Sequence, residues 1–275
     1  MKWKAWNLRN KLAITFMLIF FVTVVALGNV AYFLMVRDNE ERTVELIDTA
    51  ISQISKTVDV HLMDTERVSQ AIFSDPIIQR NLRLPVDEID AFRASDEVRY
   101  QLFQYSFPWS YIYGAYVFGM EDGLFYFSKG SSPPLDYSLR DEPWHTIVNT
   151  ASEQGLFYWP TGPETTAIRE QQQVFSLVRA INDIDTGAKL GYLKLDLHTN
   201  LLKSIFDRNV RDLSLRYLLI DGKGNVIYDG GKRLTGKELP TEWRTKLGES
   251  EGRIEIEGVE HVFVTYSSNY NGWKI

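Results

Sequence analysis

The sequence predicts an α+β chain made of an apolar N-terminal helix, a second long helix, and antiparallel sheets built from hairpins. Three observations predict it. Leu12–Val36 is a run of 25 residues without a charge. Residues 38–74 contain neither Pro nor Gly and repeat apolar residues at spacings of three and four. Beyond residue 110, short apolar or alternating runs come in pairs joined by Gly-containing turns. Paired runs of this kind argue for antiparallel hairpins and against a doubly wound parallel sheet.

The apolar run comes first. As a helix it spans about 37 Å at ~1.5 Å per residue, enough to cross a ~30 Å hydrocarbon core with some tilt. Lys2, Lys4, Arg9 and Lys11 precede it with no acid among them, and Arg37 follows it. The positive-inside rule then puts the basic tail, residues 1–11, in the cytoplasm and everything after residue 37 outside the cell membrane. The alternative is a cleaved leader with Ala26-Leu-Gly28 as its processing site. It is disfavoured because the apolar run continues through Val30, Tyr32, Phe33, Leu34 and Met35.

In the long helix, Val44, Ile47, Ile51, Ile54 and Val58 form a seam that continues less cleanly through His61, Leu62, Val68 and Ile72. Ser74-Asp-Pro76 ends it. Such a stripe either pairs with a second copy of the chain or packs on its own domain.

Residues 76–106 read as helical and charged. Phe103, Tyr105, Phe107, Trp109, Tyr111 and Tyr113 then recur at every second position, and Tyr111–Ser128 reads as a hairpin turning at "MEDG". A polar loop leads to a helix at Trp144–Ser152. The phrase "GLFYWPTGP" is followed by strands at Gln173–Ile181 and Leu190–Leu197 around the turn "DIDTG", and by a short helix in "HTNLLKSIFDRNV". Two further hairpins follow, "LRYLLID-GKGN-VIYDG" and "EGRIEIE-GVE-HVFVTYS". The turn "NYNG" then opens a last strand at Trp273-Lys-Ile275.

Composition narrows the function. There is no cysteine, which excludes disulfides and thiolate chemistry. The net charge of −6 conceals an asymmetry: four of the 30 basic residues lie in residues 1–11, leaving 26 against 36 acidic ones, a net of −10. An acidic outer part is unsuited to neutralising phosphates, so nucleic acid is not an expected partner.

The order of these elements resembles the double Cache (dCache) extracytoplasmic sensor domain, two stacked PAS-like antiparallel sheets hung from one long helix. The phrases "EPWHTIV", "GLFYWP", "VFSLVRAI", "GYLKLDL", "YLLIDGKGNVIY" and "NGWKI" carry the resemblance, and with the basic start and first span the whole looks like the N-terminal half of a YesM-type sensor histidine kinase. The resemblance implies a membrane-distal unit at 75–205 and a membrane-proximal unit at 206–275. In such a protein a second span, a phospho-accepting helix and an ATPase domain would follow. It implies as partners a small-molecule ligand (a saccharide or another small nutrient), the membrane, a homodimer mate, and a response regulator reached only through the cytoplasmic kinase. The same ectodomain type serves chemoreceptors and cyclic-dinucleotide enzymes, and some sensors bind a partner solute-binding protein.

Catalytic chemistry is sparse. Gly231, Gly236 and Lys237 match the phosphate-loop spacing, but Glu238 stands where Ser or Thr would ligate magnesium, and Pro240 leaves little room for the required helix. The histidines at 61, 145, 198 and 261 have no metal-ligand spacing. A secreted hydrolase is disfavoured, and no cofactor is expected. Binding is the stronger reading. Amino-acid-sensing relatives in the family use an Arg-x-Trp-Tyr run and a later Asp; Trp144 and Asp196 match two of these positions. Glu142 stands in the arginine's place, His145 in the tyrosine's, and Arg140 lies two residues too early. A carboxylate at that point would repel an amino acid's carboxylate rather than clamp it, so binding of free α-amino acids through this motif is not expected. Arg179, which shares a strand face with Phe175, Leu177 and Ile181, is either a ligand contact or the partner of a carboxylate such as Asp196 or Glu142. Tyr116 and Trp159, with Trp109, Trp144 and Tyr158, supply aromatic surface on which a sugar could stack.

Overall fold

The computed structural model describes residues 8–83, 88–120, 123–130, 144, 145, 148, 157–160, 174–210, 215–231, 233–256 and 258–275. The chain divides into two units, Met1–Thr49 and Ala50–Ile275. A single helix, α1, runs from Leu8 to Ser74, so the apolar run and the long helix are one element. Its apolar stretch is long enough to cross a membrane. Within the first unit Arg37 pairs with Glu41 and Arg42 with Asp38, each one turn apart on an exposed surface.

In the second unit α1 contributes Ile54, Val58, Leu62 and Ile72 to the core. The stripe from Ile51 onward therefore packs on its own domain. Asp75 ends the helix and starts the next: its Oδ1 accepts from the amides of Ile77 and Ile78, capping α2 (Pro76–Arg83) with proline at the first helical position. Its Oδ2 accepts from the Tyr105 hydroxyl on α3 (Glu88–Ser106).

The larger sheet contains β1 (Ile112–Gly119), β2 (Leu124–Ser128), β3 (Phe157–Pro160), β4 (Val174–Asn182) and β5 (Lys189–His198). Its order is β2-β1-β5-β4-β3, and every neighbouring pair is antiparallel. β1, β2, β4 and β5 agree with the sequence reading to within a residue or two, while β3 falls in a stretch the sequence reading left without a strand. The helix expected at 144–152 lies mostly outside the described residues. Where β1 and β5 pass, Gly191 admits no side chain: a Cβ there would lie 2.0 Å from the Phe118 carbonyl oxygen.

The helix α4 (Asn200–Val210) leads to two separate two-stranded sheets. Here β6 (Leu218–Ile220) pairs with β7 (Val226–Asp229) around a turn in which Asp221 Oδ1 accepts from the amides of Lys223 and Asn225. After the short helix α5 (Thr241–Arg244), β8 (Glu251–Ile256) pairs with β9 (Val259–Val264). The last residues, expected as a strand, are docked by isolated antiparallel bridges. Lys274 bridges Ile220 on one side and Ser267 on the other, through bonds such as Ile220 N–H to Lys274 O at 2.8 Å and Ile275 N–H to Tyr266 O at 2.9 Å. The turn before it grips α1: Ser268 Oγ donates to Asp59 at 2.7 Å, and the Tyr270 hydroxyl donates to Glu66.

Candidate ligand-binding face of the larger sheet

Because side chains alternate along a strand, register assigns each residue of β1–β5 to a face. On one face lie Ala115, Val117, Phe175, Leu177, Leu193, Leu195 and Leu197, which enter the core shared with α1. The other face carries Tyr192, Lys194, Asp196 and His198 of β5, opposite Ala180, Val178, Ser176 and Val174 of β4. On the β1 side their partners are Phe118, Tyr116 and Gly114.

This second face is polar yet covered. Lys194 is 3% exposed and Asp196 2%. Asp196 Oδ1 accepts from Ser176 Oγ at 2.6 Å and lies 3.4 Å from Lys194 Nζ. The ammonium also sits over the Tyr116 ring, 5.7 Å from its centroid. Trp144 is fully buried on the same face, in contact with Phe118 and Tyr192 at ring-centroid distances of 5.8 and 6.3 Å. Its Nε1 and the Tyr116 hydroxyl have no hydrogen-bond partner among the described residues; the Ser128 hydroxyl lies near Tyr116 without hydrogen-bond geometry. Burial, reinforced by the Asp196 charge, pushes the Tyr116 phenol well above its ordinary range, so it stays protonated and keeps a proton to donate.

The structure thus brings together Trp144, Asp196 and Tyr116. Trp159 occupies the β3 position paired with Ser176, which places it in the same row of the register. His145 lies edge-on to Tyr192 at 5.1 Å. Glu142 and Arg140 lie outside the described residues. Arg179 is separated from the group. It sits on the α1 face, where its guanidinium lies 4.9 Å from the Phe73 ring and donates to Ser69 Oγ at 3.3 Å. Burial lowers its pKa, with the Glu66 charge opposing. Pairing with Asp196 is ruled out by parity, because 179 is odd with the core residues and 196 lies opposite Ser176. Trp109 also belongs to the α1 side, packed against the main core. Lys194 was missed by the sequence reading, although the alternation in Tyr192-Leu-Lys-Leu-Asp-Leu-His198 already placed it beside Asp196.

The phosphate-loop lookalike has a structural explanation. Asp229, wholly buried, accepts from the amides of Gly231 at 2.8 Å, Arg233 at 2.9 Å and Leu234 at 3.0 Å. Those amides are turned onto the protein's own carboxylate rather than out toward an anion. No cluster of metal-ligating side chains occurs among the described residues.

A long helix with a five-stranded antiparallel sheet followed by smaller antiparallel pairs is similar in fold to double Cache ligand-binding domains. The ligand-binding domain of the Campylobacter jejuni chemoreceptor Tlp3, in complex with L-valine, superposes with a TM-score of 0.59 at 14% identity, covering 86% of this chain and 91% of its own. The ligand-binding domain of the Pseudomonas fluorescens chemoreceptor CtaA, in complex with L-serine, gives a TM-score of 0.61 at 14% identity, covering 86% and 96%. The CtaA domain with L-alanine gives 0.58 at 15% identity, covering 86% and 93%. At this identity the likeness is one of fold. No family model matches the chain, and no curated protein matches it.

Proposed function

We propose that the chain is the ligand-sensing region of a membrane receptor, anchored by Leu12–Val36 with residues 37–275 outside, and that a small molecule is captured on the polar face of β1–β5. One observation carries this reading: a lysine, an aspartate, a tyrosine and a tryptophan are buried on one face of one sheet, and the last two hold polar atoms without partners among the described residues. An interior selected for stability alone would fill that face with apolar side chains, as the opposite face is filled, because buried polar groups are unfavourable unless satisfied. Similarity to the Tlp3 and CtaA domains supports small-molecule capture and favours a chemoreceptor output over the histidine kinase suggested by the sequence phrases. On this reading residues 75–205 are the distal, ligand-taking unit, residues 206–275 the proximal one, and α1 the relay.

The test is thermal unfolding of the full chain in lipid nanodiscs with amino acids, hydroxy and keto acids, and sugars, each at millimolar concentration. A compound present at about 100 times its Kd stabilises the folded state by roughly 2.7 kcal/mol. At least one compound should raise Tm, and the rise should vanish in the double variant Lys194→Met with Asp196→Asn. No response to any compound, or a response that survives the double variant, would overturn the assignment.

A further inference from the structure

We infer that the molecule taken on this face is a small carboxylate without an ammonium group, bound by the Lys194 ammonium with the Tyr116 hydroxyl and the Trp144 indole N–H as accompanying donors. The inference rests on the reading of this face as a ligand site.

It follows from what each buried group has left to offer. Asp196 Oδ1 is already engaged by the Ser176 hydroxyl at 2.6 Å and by Lys194 at 3.4 Å. A protonated lysine carries three N–H donors and no acceptor. The long contact to one Asp196 oxygen is the only polar contact of Lys194 among the described residues, and its other neighbour is the face of Tyr116. Tyr116 OH and Trp144 Nε1 add two more donors without partners there. The unused capacity of the face is therefore mostly donor capacity, with the second oxygen of Asp196 the one acceptor set against it.

The backbone brings the Tyr116 donor close to the charged pair. Gly114 stands opposite Asp196 in the β1–β5 register. The Tyr116 ring folds back over it, so that a Cβ on Gly114 would lie 2.6 Å from the phenolic oxygen. Any side chain at 114 would drive that hydroxyl away. The glycine holds the donor above the residue that faces Asp196.

A carboxylate matches this arrangement. Its two oxygens accept several hydrogen bonds at once, and its charge strengthens each of them. It also complements an ammonium whose own carboxylate neighbour is held at a long distance and shared with a serine. A free α-ammonium on the ligand would instead arrive beside the Lys194 cation, and the carboxylate that would receive it is the one Lys194 and Ser176 already hold. An uncharged sugar would bring hydroxyls but no counter-charge.

L-Lactate and L-alanine differ by a hydroxyl in place of an ammonium and test the inference directly. Binding to the full chain in nanodiscs is measured by calorimetry for L-lactate, pyruvate, succinate, L-alanine and D-glucose. At least one of the three acids should bind, with L-alanine on the order of tenfold or more weaker. Tyr116→Phe and Trp144→Phe each keep a ring and remove one donor; each should weaken the acid about tenfold while circular dichroism shows an unchanged fold. L-Alanine or D-glucose binding as tightly as the acids, with loss in the Phe variants, would overturn the carboxylate class and leave the ligand face standing. Silence of all three acids, or acid binding untouched by both Phe variants, would overturn the inference.

Discussion

The two faces of the five-stranded sheet are made by the same strands and obey opposite rules. In β5, Leu193, Leu195 and Leu197 enter the core with α1, while Tyr192, Lys194, Asp196 and His198 alternate onto the other side. The first set gains stability by leaving water, at about 25 cal/mol per Å² of apolar surface. The second side is also largely removed from water, yet it holds the Lys194–Asp196 ion pair and, on Tyr116 and Trp144, two donors without partners among the described residues, and burial of such groups opposes folding. One face explains why the domain folds, and the other carries groups that folding does not need, which is what the proposed ligand face rests on.

The sharpest way to break that contrast is Lys194→Met. It leaves Asp196 buried with only the Ser176 hydroxyl, and chemical denaturation should show a loss of roughly 3–5 kcal/mol. Adding Asp196→Asn should restore most of it, since removing both charges is near neutral. A single variant as stable as the parent would mean the pair is not buried, and the distinction between the faces would fall. Next in size is Leu195→Ala, on the residue between the two charges but pointing the other way. It should cost about 2–5 kcal/mol and leave ligand preference unchanged. A change of preference with Leu195→Ala would show that the faces are not independent.

A smaller effect separates them from the other direction. Tyr116→Phe removes a buried hydroxyl without a partner among the described residues, so stability should stay within about 1 kcal/mol of the parent or rise. The same hydroxyl is one of the donors assigned to the ligand. Equilibrium unfolding and ligand binding measured on one sample should therefore part company. A loss of stability comparable to that of Leu195→Ala would make the hydroxyl structural.

Much of this was legible in the sequence, for physical reasons that vary by element. The long helix and hairpins follow from periodicity, and β4 and β5 were placed almost to the residue because apolar alternation and the "DIDTG" turn bound them. Trp144, Asp196 and Tyr116 were named as individual candidates, and the structure brings them onto one face. Arg179 was grouped with them because a cation among apolar residues draws attention; its partners, Ser69, Phe73 and Glu66, lie far away in sequence on α1. Lys194 was missed for the converse reason. A lysine in an alternating strand reads as solvated, and its burial beside Asp196 and the Tyr116 ring is a tertiary fact that no local pattern records. The C-terminal Trp273-Lys-Ile275 was visible as an alternating triplet, but not its position between β6 and the residues after β9.

The finest comparison is between two histidines, one on each side of the sheet. His61 on α1 lies edge-on to Tyr111 at 5.1 Å; burial lowers its pKa, the Asp64 charge opposes this and the Arg208 charge adds to it. His198 lies edge-on to Tyr113 at 6.0 Å, its Nδ1 accepts from the Asn200 amide at 3.0 Å, and burial lowers its pKa too. In both cases the folded state holds protons less well than the unfolded chain, whose histidines titrate near 6.5. Stability from this source is therefore fully present above about pH 6.5 and declines as pH falls toward the lowered folded values. Asp183 acts in a separate, more acidic window: burial opposes its ionisation, but the Thr186 and Asp185 amides and Arg83 outweigh it and depress its pKa. His61→Phe keeps a ring against Tyr111, and His198→Asn keeps an acceptor for the Asn200 amide. Each should flatten the fall in denaturation free energy between about pH 6.5 and 5, and the double variant should flatten it most. A pH profile unchanged in both variants would show that neither ring is held away from water. The polar face beside His198 would then be open to solvent, and the two faces would differ in exposure rather than in purpose.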